Sequence, residues 1–393
     1  MHQHAAFDFE VPPKWNGELV IWAHGFTGSN KVLTVDAPPF GLRESLLKQG
    51  YAWAASSFPT TGYDAGSGVS SSRALAEYAA TNMLGHRPSR TYIVGGSMGG
   101  HVVARSLEEY PDYYAGALSL CGQLGDNRLF DYYLDANVTA QALSGVDAYP
   151  AGEDYASTAL PLIQKRLGIT DLKPGGNPTT VAGQQYQKMV TDLSGGQRPG
   201  ADGALGMYAT ALLAFAPGGP SVAQNLSTRY TPTSPVNINN TVERVAPASW
   251  DERNSMDLNG IPRITGNPRV PVMSLHDIGD LFVPLSMEQT YAKEVAANGQ
   301  SRLLVQRGIR AANHCDFTNA EVGKAWKDLT GWVKERTAHG NKAVRPKGDD
   351  FTDRSAVASP TFGCRFSDSS APQSESRDLF ATCPDGDTKG ASR

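Results

Sequence analysis

The sequence predicts an α/β protein in which a mostly parallel central sheet carries helices on both faces and one large insertion interrupts the sheet. Short apolar runs typical of buried strands alternate with segments of helical spacing within residues 1–121 and again within 266–338. Such alternation predicts parallel strands, because each helical crossover returns the chain to the same end of the sheet. Residues 122–265 lack this alternation, which predicts an insertion between two parts of one core.

In the first part, each strand is predicted from an apolar run and the turn that ends it. ELVIWA (18–23) stops at HGFTG, and YAWAASSF (51–58) stops at a turn rich in Gly, Pro and Thr. RTYIVGGS leads directly into a helix, and YYAGALSLCG (113–122) is the next strand. Helical spacing predicts helices over 40–50, 70–85 and 98–111.

The second part repeats the pattern. The predicted elements are a strand over 269–277, a helix over 285–299, a strand over 301–308 and an amphipathic helix over 320–338. The insertion holds two helical fragments, YASTALPLIQKRLG and GALGMYATALLAFA, between loops rich in Gly, Pro and Asn. Residues 339–393 are polar and irregular, which predicts a C-terminal extension outside the core.

Composition argues against several classes of partner. The chain of 393 residues has a formal net charge of −4 and contains no basic block of the kind that binds nucleic acid or a membrane surface. No stretch approaches the roughly 20 apolar residues that a membrane-spanning helix needs. The N-terminal sequence lacks the basic start and apolar core of a signal peptide. No zinc-ligand spacing or dinucleotide fingerprint occurs, so we expect neither a metal nor a cofactor.

A candidate nucleophile lies where the strand RTYIVGGS meets the following helix. Gly95-Gly96-Ser97-Met98-Gly99 fits the pattern G-x-S-x-G, and its position at a strand–helix junction is that of a nucleophile elbow. Such a turn projects the serine hydroxyl above the sheet, and side chains at 95 and 99 would collide with the crossing helix and strand. The alternative is a glycine-rich packing turn without chemistry.

A serine hydroxyl is a poor nucleophile until a base accepts its proton. The candidate base is His314 in RAANHCDF, between the last predicted strand and the last predicted helix. The imidazole in turn needs a carboxylate to fix its tautomer, and the loop LHDIGDLFVP offers Asp277 and Asp280. The backbone N–H of Met98, at a helix start, is a candidate donor to the oxyanion of an acyl-transfer reaction. A solvent-facing His314 without function is the alternative.

These residues together resemble the α/β-hydrolase superfamily over about 18–121 and 266–338. The order Ser97, Asp280, His314 is the order of that fold, and the spacing from Asp280 to Val283-Pro284 resembles its D-x-x-V-P pattern, which favours Asp280 over Asp277. In relatives that open with HG-x, the residue after the glycine donates to the oxyanion, which implies Phe26 here. VPPKWNGELVIWAHG, SLCG and NHCDFTNAE resemble secreted, mostly actinobacterial hydrolases related to esterases and polyester depolymerases.

The four cysteines suit two disulfides, although four free thiols would give the same even count. The tannase and feruloyl-esterase group pairs a cysteine beside its histidine with one beside its serine. Here Cys315 follows His314 but Gly96 precedes Ser97, so the sequence departs from that pattern, and we predict a Cys121–Cys315 bridge instead. Cys364 and Cys383 lie in a tail with little to bury, which a crosslink would stabilise. Buried free thiols are the alternative for the first pair.

The resemblance implies a secreted serine esterase that acts on a small-molecule or polymeric ester. An amidase or peptidase with the same triad, or a hydrolase fold that only binds a ligand, are the alternatives. The insertion occupies the place of a cap above Ser97. Tyr63 and Asp64, after the second strand, either flank the cleft or form a plain turn. The aromatic residues of the insertion that either line a cleft or form its own core are Phe130, Tyr132, Tyr133, Tyr149, Tyr155, Tyr208 and Phe215.

Overall fold

The computed structural model describes residues 4–28, 32–169, 178–201 and 222–384. Its centre is a seven-stranded sheet of order β1-β3-β2-β4-β5-β6-β7. The strands are β1 (Phe7–Glu10), β2 (Glu18–Ala23), β3 (Ala52–Ser56), β4 (Arg90–Gly96), β5 (Gly116–Leu120), β6 (Val272–Asp277) and β7 (Leu304–Ile309). Only β1 is antiparallel, pairing with β3 at one edge, and all other pairings are parallel.

Helices cover both faces of this sheet. The α-helices of the described residues are α1 (Leu42–Lys48), α2 (Ala65–Asn82), α3 (Met98–Glu109), α4 (Arg128–Ser144), α5 (Leu160–Leu167), α6 (Val181–Leu193), α7 (Trp250–Asn254), α8 (Leu285–Ala297), α9 (Asn319–His339) and α10 (Arg354–Val357). Leu19 and Ile21 of β2 pack under α2, α3 and α8, whereas Val20 and Trp22 point to the opposite face, under α1 and α9. The predicted fold class, a mostly parallel sheet between two helical layers, is confirmed.

Two differences from the sequence-based prediction concern the first part of the core. The edge strand β1 was not predicted, because four residues of alternating pattern near a terminus give little signal. Helix α2 begins at Ala65 rather than near 70, because the side chain of Asp64 accepts a hydrogen bond from the Ser67 N–H and caps the helix there. The fragment GALGMYATALLAFA lies outside the described residues.

The segment 122–265 lies between β5 and β6 and contributes α4 to α7. Its helices form a hydrophobic cluster around Tyr132, Ile163 and Tyr186. Leu281 and Ala312, from the loops that follow β6 and β7, belong to the same cluster. The segment therefore packs against the ends of the strands that carry Asp280 and His314.

The C-terminal residues 340–384 contain one short α-helix, α10, and a 3-10 turn at Gly340–Lys342, yet they bury several aromatic side chains. Phe351 and Phe362 pack with Ile278 and Leu285, and Phe366 joins the core beneath α9. The disulfide Cys364–Cys383 closes this segment into a loop. In the described part of the chain, no helix combines the length and hydrophobicity required to cross a bilayer.

Candidate active site

Ser97 lies in a turn that only close backbone packing can hold. It joins β4 to α3 with φ of 55° and ψ of −121°, a conformation that costs a non-glycine residue about 1–3 kcal/mol. A Cβ atom on Gly99 would lie 2.1 Å from the carbonyl oxygen of Ala23, and one on Gly95 would lie 2.2 Å from the carbonyl oxygen of Gly99. Glycine is therefore required at 95 and 99, as the sequence predicted. At Gly96 a Cβ would lie 3.2 Å from the end of the Trp22 ring and 3.8 Å from the carbonyl oxygen of Leu120, an ordinary contact.

The backbone N–H and carbonyl groups of Ser97 are both hydrogen-bonded. Its N–H donates to the carbonyl of Leu120 at 3.0 Å, and its carbonyl accepts from the N–H groups of Gly100 and Gln123 at 2.8 and 2.9 Å. These bonds tie the turn to the end of β5 and to the residues that follow it. The hydroxyl is left as the group that the turn presents at the edge of the sheet.

The structure brings the three predicted triad residues into one hydrogen-bonded series. His314 Nε2 lies 2.8 Å from Ser97 Oγ, and His314 Nδ1 lies 2.6 Å from Asp280 Oδ2. The hydrogen-bond network assigns the tautomer in which Nδ1–H donates to the carboxylate and Nε2 accepts from the serine. This arrangement allows the imidazole to accept the serine proton.

The two candidate carboxylates have different surroundings. Asp280 is fully buried, and its second oxygen, Oδ1, accepts from the N–H groups of Phe282 and Val283 at 2.8 and 3.2 Å. Asp277 is also buried, but its Oδ2 accepts from the N–H of Asp316 at 3.0 Å. Burial, with the nearby Asp280 charge, raises the pKa of Asp277 well above its ordinary value. Asp280 is thus the acid that contacts the imidazole, and Asp277 fixes the backbone beyond it.

The disulfide Cys121–Cys315 joins the end of β5 to the residue after His314. Both cysteines have positive φ, 46° and 60°, so the bridge connects two sharply turned segments. The two sulfur atoms and one ring nitrogen of His314 lie within 4.8 Å of one another. Because both thiols are consumed in the disulfide, this group lacks the thiolates that a metal would need.

The loop after β2 lies directly against the nucleophile. A Cβ on Gly25 would lie 3.0 Å from Ser97 Cβ, so glycine permits this approach. Phe26 follows, with 47% of its surface exposed, and Met98 is the first residue of α3. Within the described ranges, neither the Phe26 nor the Met98 N–H has a hydrogen-bond acceptor. Neither amide is therefore committed to a bond within the described residues.

Aromatic side chains extend from the histidine towards the insertion. The Phe282 ring lies 6.0 Å from the His314 ring, and the Tyr133 hydroxyl donates to the Phe282 carbonyl at 2.5 Å. Phe130 packs edge-on against Tyr63 at 5.0 Å. Phe282 was not singled out from the sequence, although its place two residues after Asp280 was a usable signal.

The remaining aromatic residues divide between core and undescribed positions. Tyr132 and Tyr155 lie in the buried cluster of the insertion, and Tyr149 packs at the edge of a second cluster. Tyr208 and Phe215 fall outside the described residues. Core packing therefore accounts for several of the aromatic residues that the sequence offered as cleft-lining.

Comparisons with known proteins give one short sequence match and many structural ones. No protein-family model matches the chain. An o-phthalyl amidase from Xanthobacter agilis is 37% identical over 62 residues, which are 16% of this chain and only 14% of that protein. Feruloyl esterase B from Aspergillus oryzae superposes with a TM-score of 0.50 at 14% identity, covering 85% of this chain and 80% of its own.

A monoacylglycerol lipase from Paleococcus ferrophilus matches more loosely, with a TM-score of 0.37 at 14% identity over 84% of this chain and 98% of its own. At such identities the likeness concerns architecture, and activity has to be argued from the site. The strand order, the parallel pairing and the superposition on feruloyl esterase B agree. The chain has the α/β-hydrolase fold.

Proposed function

We propose that this protein is a serine hydrolase that cleaves carboxylic esters through an acyl-enzyme. The observation that carries the proposal is the series Asp280–His314–Ser97, with contacts of 2.6 and 2.8 Å. It is supported by the strained turn that presents Ser97 at the end of β4. A nucleophile, a base and a group that orients the base are the minimum that acyl transfer requires.

In the first half of the reaction, Ser97 Oγ attacks the ester carbonyl carbon while its proton passes to His314 Nε2. Asp280 stabilises the resulting imidazolium through Nδ1–H. Negative charge develops on the carbonyl oxygen, and the N–H groups of Phe26 and Met98 are the proposed donors to it. The C–O bond to the alcohol then breaks, and the alcohol leaves with the proton from His314.

In the second half, a water molecule gives a proton to His314 and its oxygen attacks the acyl carbon. The bond to Ser97 Oγ breaks, the serine regains a proton, and the acid is released. No step requires a metal or an organic cofactor. The bound ester, small or polymeric, is proposed to lie between Ser97 and the segment 122–265 as its cap, near Phe130, Tyr133 and Phe282. Two disulfides suit an oxidising compartment outside the cytoplasm.

The proposal is tested with p-nitrophenyl esters of increasing acyl length and a fluorophosphonate probe. The native chain should hydrolyse at least one ester and take up the probe. Ser97→Ala should lower kcat by about 10⁴-fold or more and abolish labelling, because the nucleophile is lost. An unlabelled, inactive native chain with a normal melting transition would instead favour a fold that only binds a ligand.

An amidase with the same three residues is the second candidate. The specific observation in its favour is the short match to o-phthalyl amidase, at 37% identity over 62 residues. Amide cleavage uses the same steps but must protonate a poorer leaving group. Matched p-nitroanilides and p-nitrophenyl esters of one acyl group distinguish the two, because an amidase retains turnover on the anilide. Turnover confined to the esters supports the first candidate.

A further inference from the structure

The loop that carries His314, hereafter the histidine loop (residues 310–318), leaves the sheet at its edge. β7 is the last strand in the order, and among the described residues no strand pairs with its outer side. Arg310, Ala311 and Ala312 are nevertheless buried. Buried backbone N–H groups need acceptors, and here the sheet supplies few of them.

One side chain of the C-terminal segment supplies two of the missing acceptors. The hydroxyl oxygen of Ser376 accepts from the N–H of Ala312 at 2.7 Å and from the N–H of Asn313 at 2.8 Å. Ser376 is 0% exposed, so water does not compete for these bonds. Asn313 directly precedes His314, and the two bonds fix the direction in which the backbone enters the histidine.

The next residue holds the backbone on the other side. Arg377 donates to the carbonyl oxygen of Asp316 at 2.5 Å and to both carboxylate oxygens of Glu321 at 3.0 Å. Glu321 also completes the N-terminal cap of α9 through its bond from the Thr318 N–H. Two consecutive residues of one distant segment thus bond the backbone on both sides of His314.

That segment is itself closed covalently and anchored. The disulfide Cys364–Cys383 encloses Ser376 and Arg377 in one loop, hereafter the C-terminal loop. The guanidinium of Arg310, at the start of the histidine loop, donates to the carbonyl of Phe362 at 3.0 Å and to that of Ala381 at 2.6 Å. Arg310 is therefore hydrogen-bonded near both ends of the C-terminal loop, beside the disulfide.

We propose that Ser376 is a positioning residue for His314, and that the C-terminal loop thereby maintains the geometry of the active site. The Ser376 hydroxyl is buried and bonded to backbone N–H groups, outside the series Ser97–His314–Asp280. It acts through the N–H groups of Ala312 and Asn313, which set the backbone from which the imidazole projects towards Ser97. This inference rests on the proposed function, since the geometry that Ser376 maintains matters for turnover only if His314 is the base.

The test compares Ser376→Ala with Ser71→Ala in the full-length chain. Ser71 is a matched control, because its buried hydroxyl is hydrogen-bonded to Ser56 at 2.7 Å, in α2 and away from the histidine loop. Ser376→Ala should lower kcat by about 10- to 100-fold with KM within about twofold, because displacing the base impairs chemistry and not binding. Ser71→Ala should lower the melting temperature to a similar degree and keep kcat within about twofold.

Hydrogen exchange provides a readout that does not depend on activity. In Ser376→Ala, the amides of residues 310–316 should lose protection while those of β4 and α3 keep it. A kcat within twofold of the native value, or unchanged protection of residues 310–316, overturns the proposal. If the native chain cleaves no ester, the proposed function fails by itself, and local loss of protection still decides whether Ser376 holds the loop.

Discussion

The turn at Ser97 and the histidine loop each contribute residues to one candidate site, and different kinds of interaction hold them in place. The turn at Ser97 is fixed by backbone atoms packed too closely for side chains at 95 and 99. The loop at His314 is fixed by side chains from distant segments: Cys121 through a disulfide, Asp277 through the Asp316 N–H, and Ser376 through two more N–H groups. The first depends on a local motif, the second on long-range contacts.

This difference predicts different failures. A substitution in the turn acts through steric overlap with backbone, which side-chain rotation does not relieve. A substitution around the loop removes one of several independent supports, so its effect should be graded. The three predictions that follow begin with the largest expected loss of activity and then take two effects on stability, the larger before the smaller.

Gly99→Ala should break the turn. The added Cβ would lie 2.1 Å from the carbonyl oxygen of Ala23, so β2 or α3 must move. We expect kcat/KM for a p-nitrophenyl ester to fall at least about 100-fold, with destabilisation of about 1–3 kcal/mol or more. Ester turnover and thermal unfolding by circular dichroism measure the two effects.

Gly96→Ala is the matched control on the same turn. Its Cβ would meet the end of the Trp22 ring at 3.2 Å, and its φ is not positive. Activity within about fivefold of native is the expected result, because a ring edge can shift by a few tenths of an ångström. Equal losses at 96 and 99 would contradict the view that backbone contact, and not glycine content, holds the turn.

The pair Cys121→Ser and Cys315→Ser removes the strongest single support of the histidine loop. This disulfide spans 194 residues, so its loss should lower the free energy of unfolding by about 3–5 kcal/mol. The pair Cys364→Ser and Cys383→Ser, which opens a span of 19 residues, should lose about 2–3 kcal/mol. Urea denaturation of both double variants gives the values. A larger loss from the short span would argue against this ranking.

The carboxyl group of Asp349, which contacts β7 just before the histidine loop, makes part of the free energy of unfolding depend on pH. Its carboxylate accepts from the N–H of Gly308 in β7 at 2.9 Å. Burial raises its pKa from 3.8 to about 6, against the lowering effects of that bond and of the Arg365 and Arg307 charges. The folded chain therefore holds this proton to a higher pH than the unfolded chain. The stabilisation contributed by the protonated Asp349 carboxyl is present below about pH 4 and is lost as the pH rises through 6.

Asp349→Asn tests this smallest effect. The amide oxygen can still accept from Gly308, and no ionisation occurs. The free energy of unfolding of the variant relative to native should rise by at most about 3 kcal/mol between pH 4 and pH 7. Urea denaturation at four pH values measures it. Parallel pH curves for the two proteins would show that Asp349 does not titrate in this window.

The same contrast explains what could be predicted from the sequence. The fold class and six of the seven strands could be predicted, because hydrophobic runs and turn residues are local signals. The positions of Ser97, Asp280 and His314 were also identified from short motifs. Whether they catalyse remains a prediction, but their hydrogen-bonded contact is a property of the structure.

The supports of the histidine loop could not be predicted from the sequence. Nothing near Ser376 or Arg377 distinguishes them from other residues of a polar tail, because their role depends on backbone groups some 60 residues earlier. That tail contains four phenylalanines, and three of them, Phe351, Phe362 and Phe366, are buried; they were the available signal that the tail packs against the core. Hydrogen bonds between distant segments leave no periodicity to detect.

The bridge between Cys121 and Cys315 has one more consequence. It closes the chain between these residues into a covalent ring that contains the whole segment 122–265 and the strands β6 and β7. A protease that cuts once inside the ring produces no separate fragments, since the two new ends stay attached through the sulfurs. The nicked molecule therefore keeps Ser97, Asp280 and His314 on one covalent body until a reductant releases them.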